Sequence, residues 1–187
     1  MWNLSAVSNA ETARTCSECA ERRAENLMLL GVQHVLELCV GPSLPVLEQT
    51  YVKFGIQVTG NDIDRRWKSA YPRGKWLIGD ALTLDYSQFD AVVFAPPLSR
   101  GCTGRREDSL SILDVRPSYL DFLQRVSQVK RVSVLVLPGR SLATREDREQ
   151  FFYLQSQLPQ PFEVIPLCAG QRQIVKYYDV YLKGTYE

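Results

Sequence analysis

The carboxyl end of this sequence limits its fold more than any other part. Two strand-like runs, Phe162–Leu167 and Ile174–Leu182, are separated only by a short stretch around Ala169-Gly170-Gln171-Arg172. A parallel crossover needs a dozen or more residues, so these two strands pair as an antiparallel hairpin. Everything before them has a different character. The apolar runs Val35–Val40, Ile56–Gly60, Trp76–Ile78, Ala91–Ala95 and Val132–Leu137 read as buried parallel strands. Between them, Leu44, Leu47, Tyr51 and Phe54 recur at helical spacing after Pro45 and stop at Gly55. Tyr119, Phe122, Val126 and Val129 do so after Pro117, and Phe151, Leu154 and Leu158 after a cap at Thr144. Strands alternating with helices predict an α/β fold, with a mostly parallel sheet covered by helices on both faces and one reversed strand from the hairpin.

At the amino end, Ser8-Asn9-Ala10-Glu11 reads as a capping box. The apolar or small residues at 13, 16, 20, 24 and 27 then predict one amphipathic helix of about 20 residues, ending at Gly31. The 187 residues make one domain, a helical segment at 1–30 followed by an α/β core at 31–184. With 22 basic against 21 acidic side chains, the chain is no general polyanion binder. No apolar run approaches the ~18 residues of a membrane helix, and no signal peptide is recognisable, so a soluble cytoplasmic protein is expected.

Five cysteines, an odd number without dense regular spacing, point to reduced thiols. The single histidine, His34, precedes the first strand and reads as a turn or surface residue, which removes most triad chemistry. Cys16-x-x-Cys19 looks like half a zinc site. On a helix the two share one face, and no second close pair completes a tetrahedral set, so they read as helix-interface residues and no metal is expected. Cys102 has no histidine near it in sequence to activate it.

Ligands of open α/β sheets bind beyond the carboxyl ends of the strands, where strand order reverses. The first run ends Glu37-Leu38-Cys39-Val40-Gly41-Pro42-Ser43, a small-residue turn that lets backbone approach a ligand. The pattern G-x-G-x-x-G is absent, which counts against a nicotinamide or flavin pyrophosphate site. The second run ends Asn61-Asp62-Ile63-Asp64. A carboxylate about 20 residues past such a turn matches a ribose diol, and either aspartate fits that spacing. The third ends Ile78-Gly79-Asp80-Ala81-Leu82, and the fourth Phe94-Ala95-Pro96-Pro97-Leu98.

Five parallel strands followed by a terminal hairpin resemble the class I S-adenosylmethionine-dependent methyltransferases. The resemblance implies a Rossmann-like sheet and S-adenosylmethionine as cofactor, with Glu37, Cys39 and Gly41 in the acidic and glycine-rich first motif. It puts Asp62 on the ribose and Ile63 against the adenine. Asp80, with Ala81 beside it, accepts from the adenine amino group. Ala95-Pro96-Pro97-Leu98 resembles the family's Asn/Asp-Pro-Pro-aromatic motif, in which acceptors orient an exocyclic amine; Ala95 replaces the polar acceptor and Leu98 the stacking ring. Pro97 holds Pro96 extended, which leaves the carbonyls of Ala95 and Pro96 free to accept. Asp90, Glu107 and Asp108 are the nearest carboxylates in sequence for a second acceptor.

Two basic groups stand near these positions. Ser99–Arg116 carries Arg100, Arg105, Arg106 and Arg116, and Arg65, Arg66, Lys68, Arg73 and Lys75 are interleaved with Trp67, Tyr71 and Trp76. The expected function is methylation of a nitrogen on RNA, DNA or a nucleotide-like small molecule. The alternatives are a binding module that keeps the fold without turnover, and a methyltransferase of other small molecules or proteins.

Overall fold

The structure, a computed structural model, describes residues 15–97 and 111–184. The Ser8–Glu11 box, Leu98, Cys102 and the candidates from Arg100 to Asp108 lie outside the described residues. The sheet has seven strands: β1 (His34–Leu38), β2 (Gln57–Asp62), β3 (Trp76–Ile78), β4 (Ala91–Phe94), β5 (Val132–Pro138), β6 (Phe162–Ala169) and β7 (Ile174–Lys183). Their spatial order is β3-β2-β1-β4-β5-β7-β6. Pairings from β3 through β5 are parallel, while β7 runs antiparallel to both β5 and β6. The reversed strand predicted from the short terminal link is thus inserted between its two neighbours.

The five α-helices among the described residues are α1 (Ser17–Leu29), α2 (Leu44–Tyr51), α3 (Arg65–Ala70), α4 (Tyr119–Leu123) and α5 (Arg145–Ser156). Period-two alternation along the central strands feeds two cores. Leu36, Leu38, Val92, Phe94, Leu135 and Leu137 face one side with Tyr119, Phe122 and Phe151. There the Phe94 and Phe122 rings stack at 4.5 Å. Val35, Val93, Val134 and Val136 face the other side with Leu27 of α1 and Leu44 and Leu47 of α2. α5 starts on the cap expected at Thr144, whose hydroxyl accepts from Asp147 N–H while the Asp147 carboxylate accepts from Thr144 N–H.

The structure corrects three sequence readings. The amino-terminal helix does not run through Cys16, because that residue is extended (φ −70°, ψ 145°) and acts as the N-cap of α1. The run from Tyr119 is not one helix either: α4 stops after Leu123 and resumes as a 3-10 turn at Val126–Gln128. His34 opens β1 rather than preceding it, half-buried with Nε2 2.9 Å from Thr59 Oγ1. Burial pushes its pKa down, with Lys75 adding to the effect.

Candidate active site

A cleft of about 890 Å³ opens beyond the carboxyl ends of the strands, where β1 is flanked by β2 on one side and β4 on the other. Its size is that of a small-molecule site. The turn after β1 forms its first wall. Cys39 and Gly41 both take left-handed backbone, φ 57° and 48°, before a 3-10 turn at Gly41–Ser43 leads into α2. A Cβ on Gly41 would meet Asp62 Oδ2 and the Trp67 ring no nearer than 3.8 Å, ordinary contact, so conformation rather than space asks for glycine there. Cys39 adopts the same region with a side chain, at a cost of about 1–2 kcal/mol. Burial above all, with Asp62 and Asp80 nearby, pushes its thiol up to about 12, so it is an unreactive neutral group.

The two aspartates after β2 play different parts. Asp62 Oδ2 accepts from Gly41 N–H and Oδ1 from Asp64 N–H, both at 2.9 Å. Burial raises its pKa while those N–H bonds pull it back. Each oxygen retains a second lone pair. Asp64 caps α3 through Arg66 N–H at 3.0 Å and is ion-paired with the Arg66 guanidinium, which holds its pKa down. Beside them Ile63 is 75% exposed, an apolar side chain held at the cleft rather than in the core. Asp80 caps the 3-10 turn Ala81–Thr83 through Leu82 N–H at 2.9 Å. Asn61 ties β2 to the end of β3, donating to the Leu77 and Gly79 carbonyls at 3.0 Å.

Beneath this wall lies a buried polar network. Glu37, 2% exposed, accepts from Tyr51 Oη at 2.7 Å, and burial pushes its carboxyl up to about 7 against the pull of Arg23. Arg23 of α1 donates to both oxygens of Asp179 on β7, at 2.6 and 2.8 Å. Burial works against the Arg23 charge, but Asp179, with Tyr51 and Glu37, outweighs it and raises its pKa.

The opposite wall belongs to β4, β5 and the chain after 111. Ala95, Pro96 and Pro97 line it with Arg116, Pro117, Asp121, Arg140 and Tyr177. Arg140 reaches the cleft because β5 exits through Pro138-Gly139. A Cβ on Gly139 would lie 2.2 Å from the Val175 carbonyl oxygen, so only glycine fits.

At the level of sequence, no family model and no curated protein matches the chain. Solved structures do resemble it. A SAM dependent methyltransferase from Archaeoglobus fulgidus superposes with a TM-score of 0.56 at 14% identity, over 90% of this chain and 94% of that one. The tRNA (m1A58) methyltransferase of Aquifex aeolicus gives 0.54 at 10% identity, over 90% and 76%. The 1,6-didemethyltoxoflavin-N1-methyltransferase of Burkholderia thailandensis, solved with 1,6-didemethyltoxoflavin and S-adenosylhomocysteine, gives 0.51 at 15% identity, over 89% and 78%. This chain has the class I methyltransferase fold.

Within that fold the cleft gathers Glu37, Cys39, Gly41, Asp62, Ile63, Asp80 and Ala81 along one wall and Ala95, Pro96 and Pro97 along the other. It does not gather Asp90. That carboxylate accepts from Gln33 and His34 N–H, both at 3.0 Å, at the end of the sheet away from the cleft. Part of the basic and aromatic group after β2 serves local structure: Tyr71 Oη donates to Glu48 at 2.8 Å, Trp76 Nε1 to the Tyr71 carbonyl at 2.9 Å and Lys75 Nζ to Gln57 at 3.1 Å. Trp67 is the member that lines the cleft. Asp121, Arg140 and Tyr177 were missed in the sequence. The strand-end rule applied to Pro138-Gly139-Arg140 would have found the arginine, whereas Tyr177 enters only through its register opposite Pro138. Among the described residues, no three His, Cys, Asp or Glu side chains group to hold a metal, and no helix is long and apolar enough to cross a membrane.

Proposed function

We propose that this protein is an S-adenosylmethionine-dependent methyltransferase acting on a nitrogen of RNA, DNA or a nucleotide-like small molecule. The observation that carries the reading is Asp62, a carboxylate fixed at the strand-order reversal by two backbone N–H groups, one from the glycine turn itself. A carboxylate held this way presents its remaining lone pairs in a fixed position, which suits a vicinal diol. The residues present fit the cofactor. Asp62 takes the ribose hydroxyls, Ile63 offers an apolar surface to the adenine, and Asp80 accepts from its amino group with Ala81 alongside. The turn at Cys39 and Gly41, with Glu37 beneath, admits the remainder close to backbone. Asp64 is engaged as a helix cap and with Arg66, which favours Asp62 for the ribose.

When bound, the cofactor supplies a methyl group already activated on a sulfonium, so alignment is the main requirement left to the protein. The Ala95 and Pro96 carbonyls accept the hydrogens of the acceptor nitrogen and turn its lone pair to the reacting face. Asp121 is the carboxylate at that end of the cleft that takes the proton the nitrogen sheds. Arg116 and Arg140 complement an acceptor that carries phosphate. A second reading, a cofactor-binding module without turnover, is favoured by one observation: Ala95 brings no side-chain acceptor to the motif.

Calorimetric titration with S-adenosylmethionine and S-adenosylhomocysteine, with NAD and ATP as controls, tests the cofactor. Selective binding of the first pair is expected; equal or absent binding removes the proposal. Transfer of a labelled methyl group to RNA, DNA or nucleotides then separates the enzyme from the inactive module.

A further inference from the structure

Cys16 and Cys19 take no part in the cleft chemistry, yet their arrangement is specific. In a regular helix, side chains at i and i+3 have Cβ atoms about 5–6 Å apart, beyond the ~3.5–4.5 Å a disulfide requires. Cys16 is not in the regular helix. Its extended backbone folds the thiol over the first turn of α1, where Sγ accepts from Cys19 N–H at 3.3 Å. That bond brings the Cys16 sulfur onto the residue that carries the second thiol. The pair is also asymmetric. Cys19 is fully buried against Leu167 and Ala169 of β6, whereas Cys16 is only half-buried. Cys16 is the partly exposed member of the pair and Cys19 the covered one.

We infer that Cys16 and Cys19 form a reversible dithiol–disulfide centre at the amino end of α1, adjoining the cleft. The co-reactant class is a low-molecular-weight disulfide such as oxidised glutathione. The Cys16 thiolate attacks one sulfur of that disulfide, forms a mixed disulfide and expels one thiolate, which takes up the proton Cys16 lost. Cys19 then loses its proton and attacks Cys16 Sγ, expelling the second thiol. Two electrons pass from the cysteine pair to the small disulfide, and one protein disulfide and two small thiols result. Burial raises the Cys19 pKa, with Cys16 adding to it, so the second step is the slow one and proceeds because the attack on Cys16 is intramolecular.

The neighbouring residue links this centre to the cleft. Thr15 N–H donates to Ser43 Oγ at 2.9 Å, and both residues line the cleft. Closing the Cys16–Cys19 bond replaces the Sγ contact with Cys19 N–H and shifts the Cys16 backbone, and with it the Thr15–Ser43 bond. Oxidation therefore changes cofactor affinity, a consequence that rests on the cofactor reading above.

The sequence makes the test direct, because tryptic cleavage after Arg14 and Arg22 releases both cysteines in one peptide, Thr15–Arg22, without the other three. The full chain is equilibrated in graded ratios of reduced to oxidised glutathione, alkylated, digested and weighed. In oxidising buffer that peptide is expected unalkylated and lighter by two hydrogens. The change reverses with dithiothreitol and is absent in Cys16→Ser, where serine keeps the N-cap. Two alkylated thiols at every ratio, or Cys16 carried only as a glutathione adduct, overturn the centre. A linkage of either residue to Cys168 does the same.

S-adenosylhomocysteine titration of both forms is expected to show about a fivefold difference in affinity, the low end of ordinary coupling between sites, and none in Cys16→Ser. A disulfide that forms without altering affinity overturns the link to the cleft. Absence of binding in both forms overturns the cofactor reading and leaves the peptide result standing.

Discussion

The two walls of the cleft are built on different principles. On the β1–β2–β3 side each strand end carries a carboxylate; Asp80 is fixed by Leu82 N–H, and Asp62 by Asp64 N–H and by Gly41 N–H from the turn after the neighbouring β1. On the β4–β5 side the end of β4 is Ala95-Pro96-Pro97, with no polar side chain, and the charged groups are Arg140, two residues past β5, and Arg116 and Asp121 from the connection between the two strands. The first wall recognises by side chains placed locally. The second offers carbonyls and a frame that other parts of the chain furnish. Under the proposed function, the first wall would fix the cofactor and the second would select the acceptor.

Substitutions can break this division. The largest effect is expected beneath the first wall, at Glu37, whose carboxyl is pushed up to about 7 in the folded protein from an ordinary value of 4.5. Below 4.5 it is protonated in both states and costs nothing. As pH rises from there to 7 the folded state retains a proton the unfolded chain loses, so stability falls by up to about 1.4 kcal/mol per pH unit, and the loss is complete above 7. Asp62, raised the same way, contributes a fall of the same sign, so the diagnostic quantity is the difference between wild type and Glu37→Gln in urea unfolding from pH 4 to 8. The variant is expected to have the flatter profile, and parallel profiles would refute the assignment.

At the wall itself, Asp62→Ala is expected to weaken S-adenosylhomocysteine binding about tenfold or more, from loss of charge-assisted contacts worth about 1.5–3 kcal/mol. Asp64→Ala, which removes an exposed pair and a cap, should change that affinity by less than about twofold. The reverse ranking in calorimetry would move the ribose to Asp64. Across the cleft, Arg116→Ala and Arg140→Ala should leave cofactor affinity unchanged. Each should lower the salt dependence of binding to a short RNA by about one unit of slope. A matching loss of cofactor affinity would mean that the two walls are not separable. The smallest effect is expected at Cys39→Gly, where relief of left-handed strain at φ 57° is offset by the lost thiol packing and the freer unfolded chain, so stability should change by less than about 1 kcal/mol in the same unfolding assay.

The legibility of the sequence follows the same division. Strand runs and the terminal hairpin were readable because apolar periodicity and a short link leave few alternatives, and the first wall because its carboxylates sit beside their own strands. Asp121 and Tyr177 were not, since each reaches the cleft through packing and register rather than through a strand end. Asp90 misled for the complementary reason: it is close in sequence to Ala95, but a strand of four residues, Ala91–Phe94, separates the two ends of the sheet. Cys16 was assigned to a helix interior because spacing cannot distinguish an N-cap from a first turn; only its ψ of 145° does.

The Arg23–Asp179 pair joins positions 156 residues apart, one on the first described helix and the other on the last strand to be inserted. On a ribosome adding about 5–20 residues per second, the guanidinium therefore waits roughly ten to thirty seconds for its counter-charge. Throughout that interval α1 can settle on the sheet only without the carboxylate that accepts from its guanidinium, Glu37 being the nearby charge left to offset it. The arrival of β7 thus supplies the sheet's antiparallel strand and the charge pair in one step.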